Sequence, residues 1–345
     1  MMEKRVFSWM IGLSLFLGII LGQQTIVHAD VQTQTADFEI QPILPEEQVN
    51  ASLNYFDLLL KPDSTRVIQM RIQNFSNKKI TVESSLRNAY TQMGGNIDFT
   101  TDSSLLDKSL KTSFTQIATL TKGDQKIVLK AGETKMLSTT IKMPKAGYKG
   151  MIYGDWHFLE RLKPDTKTTA TTSNYSYSVG VVLRGTDYEV YPKLSYGETA
   201  PILYRRHPAM GIKLRNTQPM AITKASVDAT ILQKGFNGSK HVYKATNLSI
   251  APNSLLNIPI SWSYDALKPG DYEIQVKVKG LTFFNKFPHT WQFNKKFTVA
   301  DSAVKTINEQ AMQKPINHWF YGAIVSGALL AISSGFLVYV VRLKH

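Results

Sequence analysis

Val67-Ile68-Gln69-Met70-Arg71-Ile72-Gln73 decides the fold class. Ile68, Met70 and Ile72 fall on one side of an extended chain and Gln69, Arg71 and Gln73 on the other, the period-two alternation of a strand with one face in a core. Working outward, Asn74 to Lys79 reads as a turn and Ile80-Thr81-Val82 resumes the strand pattern. Further strands are predicted at 126–130, 134–143, 151–159 and 175–183, separated by turns rich in Asn, Gly, Pro and Lys, with no long amphipathic helix between them. This spacing predicts an all-β ectodomain of two consecutive immunoglobulin-like antiparallel β-sandwiches.

The 289 residues from Asp30 to His318 suit two domains better than one. Arg161 to Ser173, with Pro164 and a run of threonines, is too polar for a core element and reads as a hairpin tip. The domain break is placed after it, giving a first β-sandwich over 30–184 and a second over 185–300. Residues 301–318 form a juxtamembrane segment, either a short helix or a flexible stalk. A weak internal repeat accompanies this division. Ile72-Gln73-Asn74 precedes Ile80-Thr81 at the same offset as Leu214-Arg215-Asn216 precedes Ile222-Thr223, and Lys130-Ala131-Gly132 opens a strand as Ala251-Pro252-Asn253 does.

Both ends of the chain are apolar. Val6 to Leu21 follows Lys4-Arg5 and leads to small Ala29, the pattern of a secretory signal over residues 1–29. Trp319 to Val341 holds 23 residues without a charge, long enough to cross a hydrocarbon core of roughly 30 Å. Trp319 and Tyr321 suit one membrane interface and Tyr339 the other, while Arg342 and Lys344 belong on the cytoplasmic side. The expectation is a single-pass protein of the cell membrane, N-terminus outside, C-terminus cytoplasmic, with the ectodomain in the cell wall. A cytoplasmic tail of residues 342–345 leaves no room for a folded signalling module.

Of the net charge of +14, the signal contributes +1 and the tail +2, leaving +11 on the ectodomain. Anionic wall polymers, teichoic acids and peptidoglycan carboxylates among them, are the partners this favours. Nucleic acid is not expected, because no recognition motif accompanies the charge. The absence of cysteine leaves stability to the core and fits a single-membrane bacterial surface.

The parts of a wall-acting enzyme are missing. His157, His207, His241 and His289 stand alone, with no H-E-x-x-H; no G-x-S-x-G elbow and no S-x-x-K with S-D-N and K-T-G occur, and a thiolate is impossible without cysteine. No catalytic residue, metal site or cofactor is assigned. An enzymatic alternative would need a carboxylate pair drawn from Asp98, Asp102, Asp107 and Asp155. Leu44-Pro45-Glu46-Glu47 lacks the Thr-Gly of a sortase signal and reads as a turn. Trp291-Gln292-Phe293 with Phe283, Phe284 and Phe287 reads either as core filling by alternation or as an aromatic face for a glycan or protein. In the membrane helix, Ala323, Gly327, Ala331 and Gly335 recur every four residues, a small-residue stripe suited to close packing against a second helix. An assembly or sensor subunit acting through that helix is a further alternative.

With these parts in place, the chain resembles the WxL-interacting proteins of Gram-positive bacteria. In the first domain the resemblance rests on Phe38-Glu39-Ile40-Gln41-Pro42-Ile43-Leu44-Pro45, Tyr55-Phe56-Asp57-Leu58 and Gly150-Met151-Ile152-Tyr153-Gly154. In the second it rests on Leu183-Arg184-Gly185, Ala251-Pro252-Asn253-Ser254, Lys268-Pro269-Gly270-Asp271-Tyr272 and Trp291. The resemblance implies a non-enzymatic adaptor: a peptidoglycan-binding first domain, a second domain for host ligands, and association with surface proteins that carry W-x-L motifs. It supplies no ligand-binding residues.

Overall fold

A computed structural model of the protein describes residues 36–161, 174–235, 238–315 and 317–343. The expected signal over 1–29, the hairpin tip within 162–173 and the anchor residue Lys344 lie outside the described residues.

The first sandwich comprises β1 (Phe38–Ile43), β2 (Phe56–Leu59), β3 (Thr65–Asn74), β4 (Ile80–Thr91), β5 (Ile97–Thr100), a short helix α1 (Phe114–Ile117), β6 (Ala118–Leu120), β7 (Lys126–Leu129), β8 (Thr134–Lys142), β9 (Met151–Glu160) and β10 (Tyr175–Arg184). One sheet runs β1-β3-β8-β6 and the other β2-β10-β9-β4-β5, with β7 also on β4. The alternation of β3 is realised as read: Ile68, Met70 and Ile72 are buried while Gln69 and Arg71 are exposed. They meet Phe56, Trp156 and Phe158 from the other sheet in one core. The Trp156 indole N–H, buried with the ring, donates to Ser84 Oγ at 2.8 Å, which meets the rule that a buried polar group finds a partner. Among the described strands pairing is antiparallel except between β2 and β10, which run parallel from Phe56↔Val181 to Leu59↔Arg184.

The second sandwich comprises β11 (Leu194–Tyr204), β12 (His207–Asn216), β13 (Ile222–Gln233), β14 (Lys240–Ile250), β15 (Ser254–Ser261), β16 (Gly270–Thr282) and β17 (Pro288–Val299), in sheets β11-β12-β15 and β14-β13-β16-β17. On β16, Tyr272, Ile274, Val276 and Val278 are buried while Gln275, Lys277 and Lys279 face water. Each such apolar side chain contributes roughly 1.5–3 kcal/mol by leaving water. Within 301–318, Asp301–Gln310 forms a helix, α2. Its Val304 is buried in the second core, and Asn308 bonds both the N–H and the C=O of Leu267 at 2.9 Å. A final helix, α3 (His318–Arg342), contains the apolar stretch Trp319–Arg342 of mean hydropathy 2.2, long enough to cross a membrane.

The internal repeat reappears as a shared device. Asn74, fully buried, donates from Nδ2 to the carbonyls of Lys78 and Lys130, both at 2.8 Å. Asn216, equally buried, donates to Met220 at 2.8 Å and Ala251 at 2.9 Å. In both sandwiches the asparagine ties the turn four residues ahead to the strand start far downstream, satisfying carbonyls that no ladder reaches.

Between the sandwiches runs a polar seam. The turn Gln92–Asn96 presses on the second sandwich: Gly94 N–H donates to Asn257 O at 2.7 Å and Asn96 N–H to Ser249 O at 2.8 Å. Gly95 has φ +110°, and a Cβ there would lie 2.9 Å from Leu248, so both backbone and space require glycine. Arg215 grips Asp107 with two bonds of 2.7 and 2.8 Å, and Thr91 Oγ1 lies 2.6 Å from Ser254 Oγ.

Candidate functional site

The parallel start of β2 leaves a gap. β9 pairs with β10 along Tyr175–Arg184, whereas β2 covers only Val181–Arg184 on the other side. Among the described residues, Tyr177 to Gly180 therefore present a strand edge with no neighbouring strand on that side. Opposite lies β1, the edge of the facing sheet. Between these two edges opens a cleft of about 390 Å³, lined among others by Gln41, Asn54, Tyr55, Tyr177, Ser178 and Gly180. Its size falls in the range of small-ligand sites.

The cleft presents two aromatic rings, amide and hydroxyl groups, and backbone. Tyr177, 36% exposed, is held edge-on by Phe38 with ring centroids 5.1 Å apart. The Tyr55 hydroxyl is pushed up by burial, and by the nearby Asp57 against the opposing pull of Arg184, so the ring is a neutral donor at physiological pH. Arg71 donates to Gln41 Oε1, leaving the amide nitrogen as the group Gln41 offers. Gly180 takes extended backbone, and a Cβ on it would meet only Tyr55, at 3.8 Å, so the space beside it is open.

Behind Ser178 stands a cluster on the outer face of β4, β9 and β10. Arg87 holds the buried Asp155 carboxylate through Nε at 3.0 Å and Nη2 at 2.5 Å, and donates to Ser178 Oγ at 2.8 Å. His157 Nδ1 lies 3.1 Å from the same oxygen. Burial raises the Asp155 carboxyl even against its bonds to Arg87 and Ser178. Burial and the Arg87 charge depress His157, leaving it neutral near pH 7. The cluster fixes the Ser178 hydroxyl at the mouth of the cleft.

In the second sandwich the aromatics named from sequence divide between both readings. Trp291 and Phe293 pack half-buried on the core, Phe283 and Phe284 pack with Tyr153 and Tyr188 where the sandwiches meet, and Phe287 is 52% exposed. His289 stacks on Trp291 at 5.3 Å and meets Phe287 at 5.2 Å, while the half-exposed Tyr191 sits 5.6 Å from His289. Arg184, clamped by Asp57 with two 2.7 Å bonds, lies over Tyr188 and Phe283.

The carboxylates of the enzymatic alternative are not brought together. Asp107 binds Arg215, Asp155 binds Arg87, Asp98 accepts from Tyr90 at 3.2 Å, and Asp102 caps a 3₁₀ turn through Ser104 N–H at 2.8 Å. The histidines are equally separate, with His241 stacked 3.9 Å from Trp262 and His207 4.7 Å from Tyr264. On α3, Trp319, Tyr321, Tyr339 and Arg342 are exposed, and the stripe Ala323, Gly327, Ala331 and Gly335 is unpacked, with nothing within 4 Å of a Cβ on either glycine.

The cleft is not legible in the sequence, and of the cluster behind it Asp155 and His157 stand out there only as isolated groups. Tyr55 was quoted only within a motif, and Arg87, Tyr177, Ser178 and Gly180 carry no spacing signal, because residues about 90 and 125 positions apart along the chain meet only through sheet pairing. The one usable hint was Gly180 inside an apolar strand, since an interior strand glycine marks a close approach or an opening.

Residues 38–160 match the family model of the WxL Interacting Protein peptidoglycan binding domain, and residues 166–309 match that of its host binding domain. No curated protein matches the chain. Among solved structures, the YadV chaperone is similar at 12% identity and TM-score 0.32, covering 76% of this chain and 100% of that one. The CsuC-CsuE chaperone-tip adhesion subunit pre-assembly complex from Csu pili of Acinetobacter baumannii gives 11% and 0.34, covering 74% and 98%. The ASH/PapD-like domain of human CEP192 gives 11% and 0.26, covering 48% and 99%. Likeness at this level carries no argument about what the present chain binds.

Proposed function

Because the chain belongs to the WxL-interacting proteins, with a peptidoglycan-binding domain ahead of a host-binding domain, we propose that it is a non-enzymatic, membrane-held adaptor of the cell surface. The observation that carries this reading is the succession of the two domain matches followed by the apolar helix Trp319–Arg342. The first sandwich, taken as 30–184, holds peptidoglycan. The second, taken as 185–300, docks a W-x-L surface protein or a host ligand, and its half-exposed Tyr191, Phe287 and His289 are the surface best suited to that contact.

The helix crosses the membrane with Trp319 and Tyr321 at the outer interface, Tyr339 at the inner one, and Arg342 with Lys344 in the cytoplasm. The stripe from Ala323 to Gly335 packs on a second membrane helix. Attachment at one end raises the effective concentration at the other, so a weak wall contact and a weak partner contact reinforce each other. The seam between the sandwiches supports this by holding the two contacts at a set distance.

The test is sedimentation of the detergent-solubilised full chain with teichoic-acid-free peptidoglycan across a salt series. Binding that persists at high salt is the expected result and marks a shaped site. Binding that vanishes as charges are screened would reduce the interaction to retention of a basic protein by an anionic wall and overturn the reading.

A further inference from the structure

The cleft between β1 and β10 has the chemistry of a sugar site. A pyranose ring offers an apolar face of C–H groups and a rim of hydroxyls, so it is recognised by an aromatic ring together with amide and hydroxyl groups at the edge. Tyr177 and Tyr55 supply the rings, and Gln41, Asn54 and Ser178 supply the polar groups. The cleft adds something that a plain hexose would not use: the edge of Tyr177 to Gly180 that faces away from β9, along which β2 does not pair. Such an edge offers N–H and C=O groups in fixed alternation and pairs with any ligand carrying an amide in extended form.

We propose that this cleft binds an N-acetylated amino sugar of a glycan strand, with the acetamido group on the β10 edge and the ring against Tyr177 and Tyr55. The assignment rests on the reading of the first sandwich as peptidoglycan-binding, with β10 counted in that sandwich by its pairing with β9 although the host-binding match begins at residue 166, and adds to it the component bound and the place. Ser178 is oriented for the sugar by Arg87 and His157, which act as positioning residues because neither borders the cleft. The cleft's volume of about 390 Å³ suits one or two sugar rings, not a long polymer segment, so the strand would run out along the surface on both sides.

Gly180 provides a clean test. Its backbone is extended and an added Cβ meets only Tyr55 at ordinary contact distance, so the strand accepts a side chain there, and the branches of Gly180→Val narrow the cleft beside Tyr55. Tyr177→Ser is the second variant, removing a ring that is one-third exposed. Wild type and both variants, as full chains in detergent, are sedimented with purified peptidoglycan at high salt, with thermal midpoints recorded in parallel. The expected result is a loss of affinity of about tenfold or more for both variants with little change in midpoint for Gly180→Val. Peptide-free glycan strands should displace the wild type from peptidoglycan, and free stem peptide should not. Wild-type-like binding by Gly180→Val, or displacement by stem peptide alone, overturns the sugar site while leaving peptidoglycan binding standing. Failure of the wild type itself to sediment removes both.

Discussion

Asn74 in the first sandwich and Asn216 in the second do the same work at the same station, yet they are not equally satisfied. Asn74 Oδ1 accepts from Ser76 N–H at 2.9 Å and Ser76 Oγ at 2.7 Å, whereas Asn216 Oδ1, also buried, has no partner among the described residues. Gln218 stands where the first sandwich has Ser76, and Pro219, next along, meets the first sandwich instead: its carbonyl accepts from Met151 N–H at 2.7 Å. The second asparagine turn is thus also an interface, and it gives up a local bond for one between sandwiches. Repetition of a fold sets where a corner must be tied. What that corner then faces is set by its neighbours.

The sharpest way to break the comparison is to remove the two amides. Asn74→Ala is expected to lower unfolding free energy by about 3 kcal/mol and Asn216→Ala by about 2, since the first loses acceptor as well as donor bonds and leaves more buried groups unpaired. Chemical denaturation of the full chain in detergent would read both. Equal losses would mean the Ser76 bonds contribute nothing.

Next in size is the seam. Asp107→Ala strips Arg215 of its carboxylate and is expected to cost about 1–2 kcal/mol, less than a fully buried pair because Arg215 stays partly in water. It should also separate the unfolding of the two sandwiches into two transitions. A single unshifted transition would show that the seam does not couple them.

Acid sharpens the contrast between the two ion pairs. At Asp107 burial raises the carboxyl, but bonds from Arg215 and Ser109 outweigh it and leave it below the ordinary carboxylate value. That stabilisation is present above the unfolded-state value and is lost as pH falls through the folded one. Asp155 runs the other way: burial holds it above the ordinary value, so protonation favours the folded state and acidification relieves a penalty. Asp155→Asn should therefore steepen the acid loss of stability between neutral pH and about pH 4, and Asp107→Asn should flatten it below about pH 4. Denaturation midpoints against pH would reveal either sign reversed.

The smallest effect on folding belongs to the apolar C-terminal helix. Gly327→Leu with Gly335→Leu should leave the sandwiches' stability unchanged while abolishing helix association, read by crosslinking in membranes. An unchanged oligomeric state would remove the stripe as a contact.

Much of this architecture was legible in one dimension. The alternation at Ile68, Met70 and Ile72 is a local property of the chain, as are the apolar run from Trp319 and the matched offsets around Asn74 and Asn216, because burial on one face of a strand or along a whole helix leaves its period in the residues. Segments quoted for the family resemblance proved partly structural: a Cβ on Gly154 would lie 2.1 Å from the Phe114 ring, and Tyr272 Oη donates to Lys268 O at 2.6 Å.

The cleft lay beyond such reading. It exists because β2 starts late against β10, because β1 happens to lie opposite, and because Arg87 reaches across β9 to Ser178. Sequence by itself determined that the chain is built of strands, where its apolar helix lies and that its fold repeats, since each depends on which side chains leave water. Only the tertiary structure decided which strand edge stays open and which carboxylates are already taken, since these depend on partners far along the chain whose meeting no local pattern records.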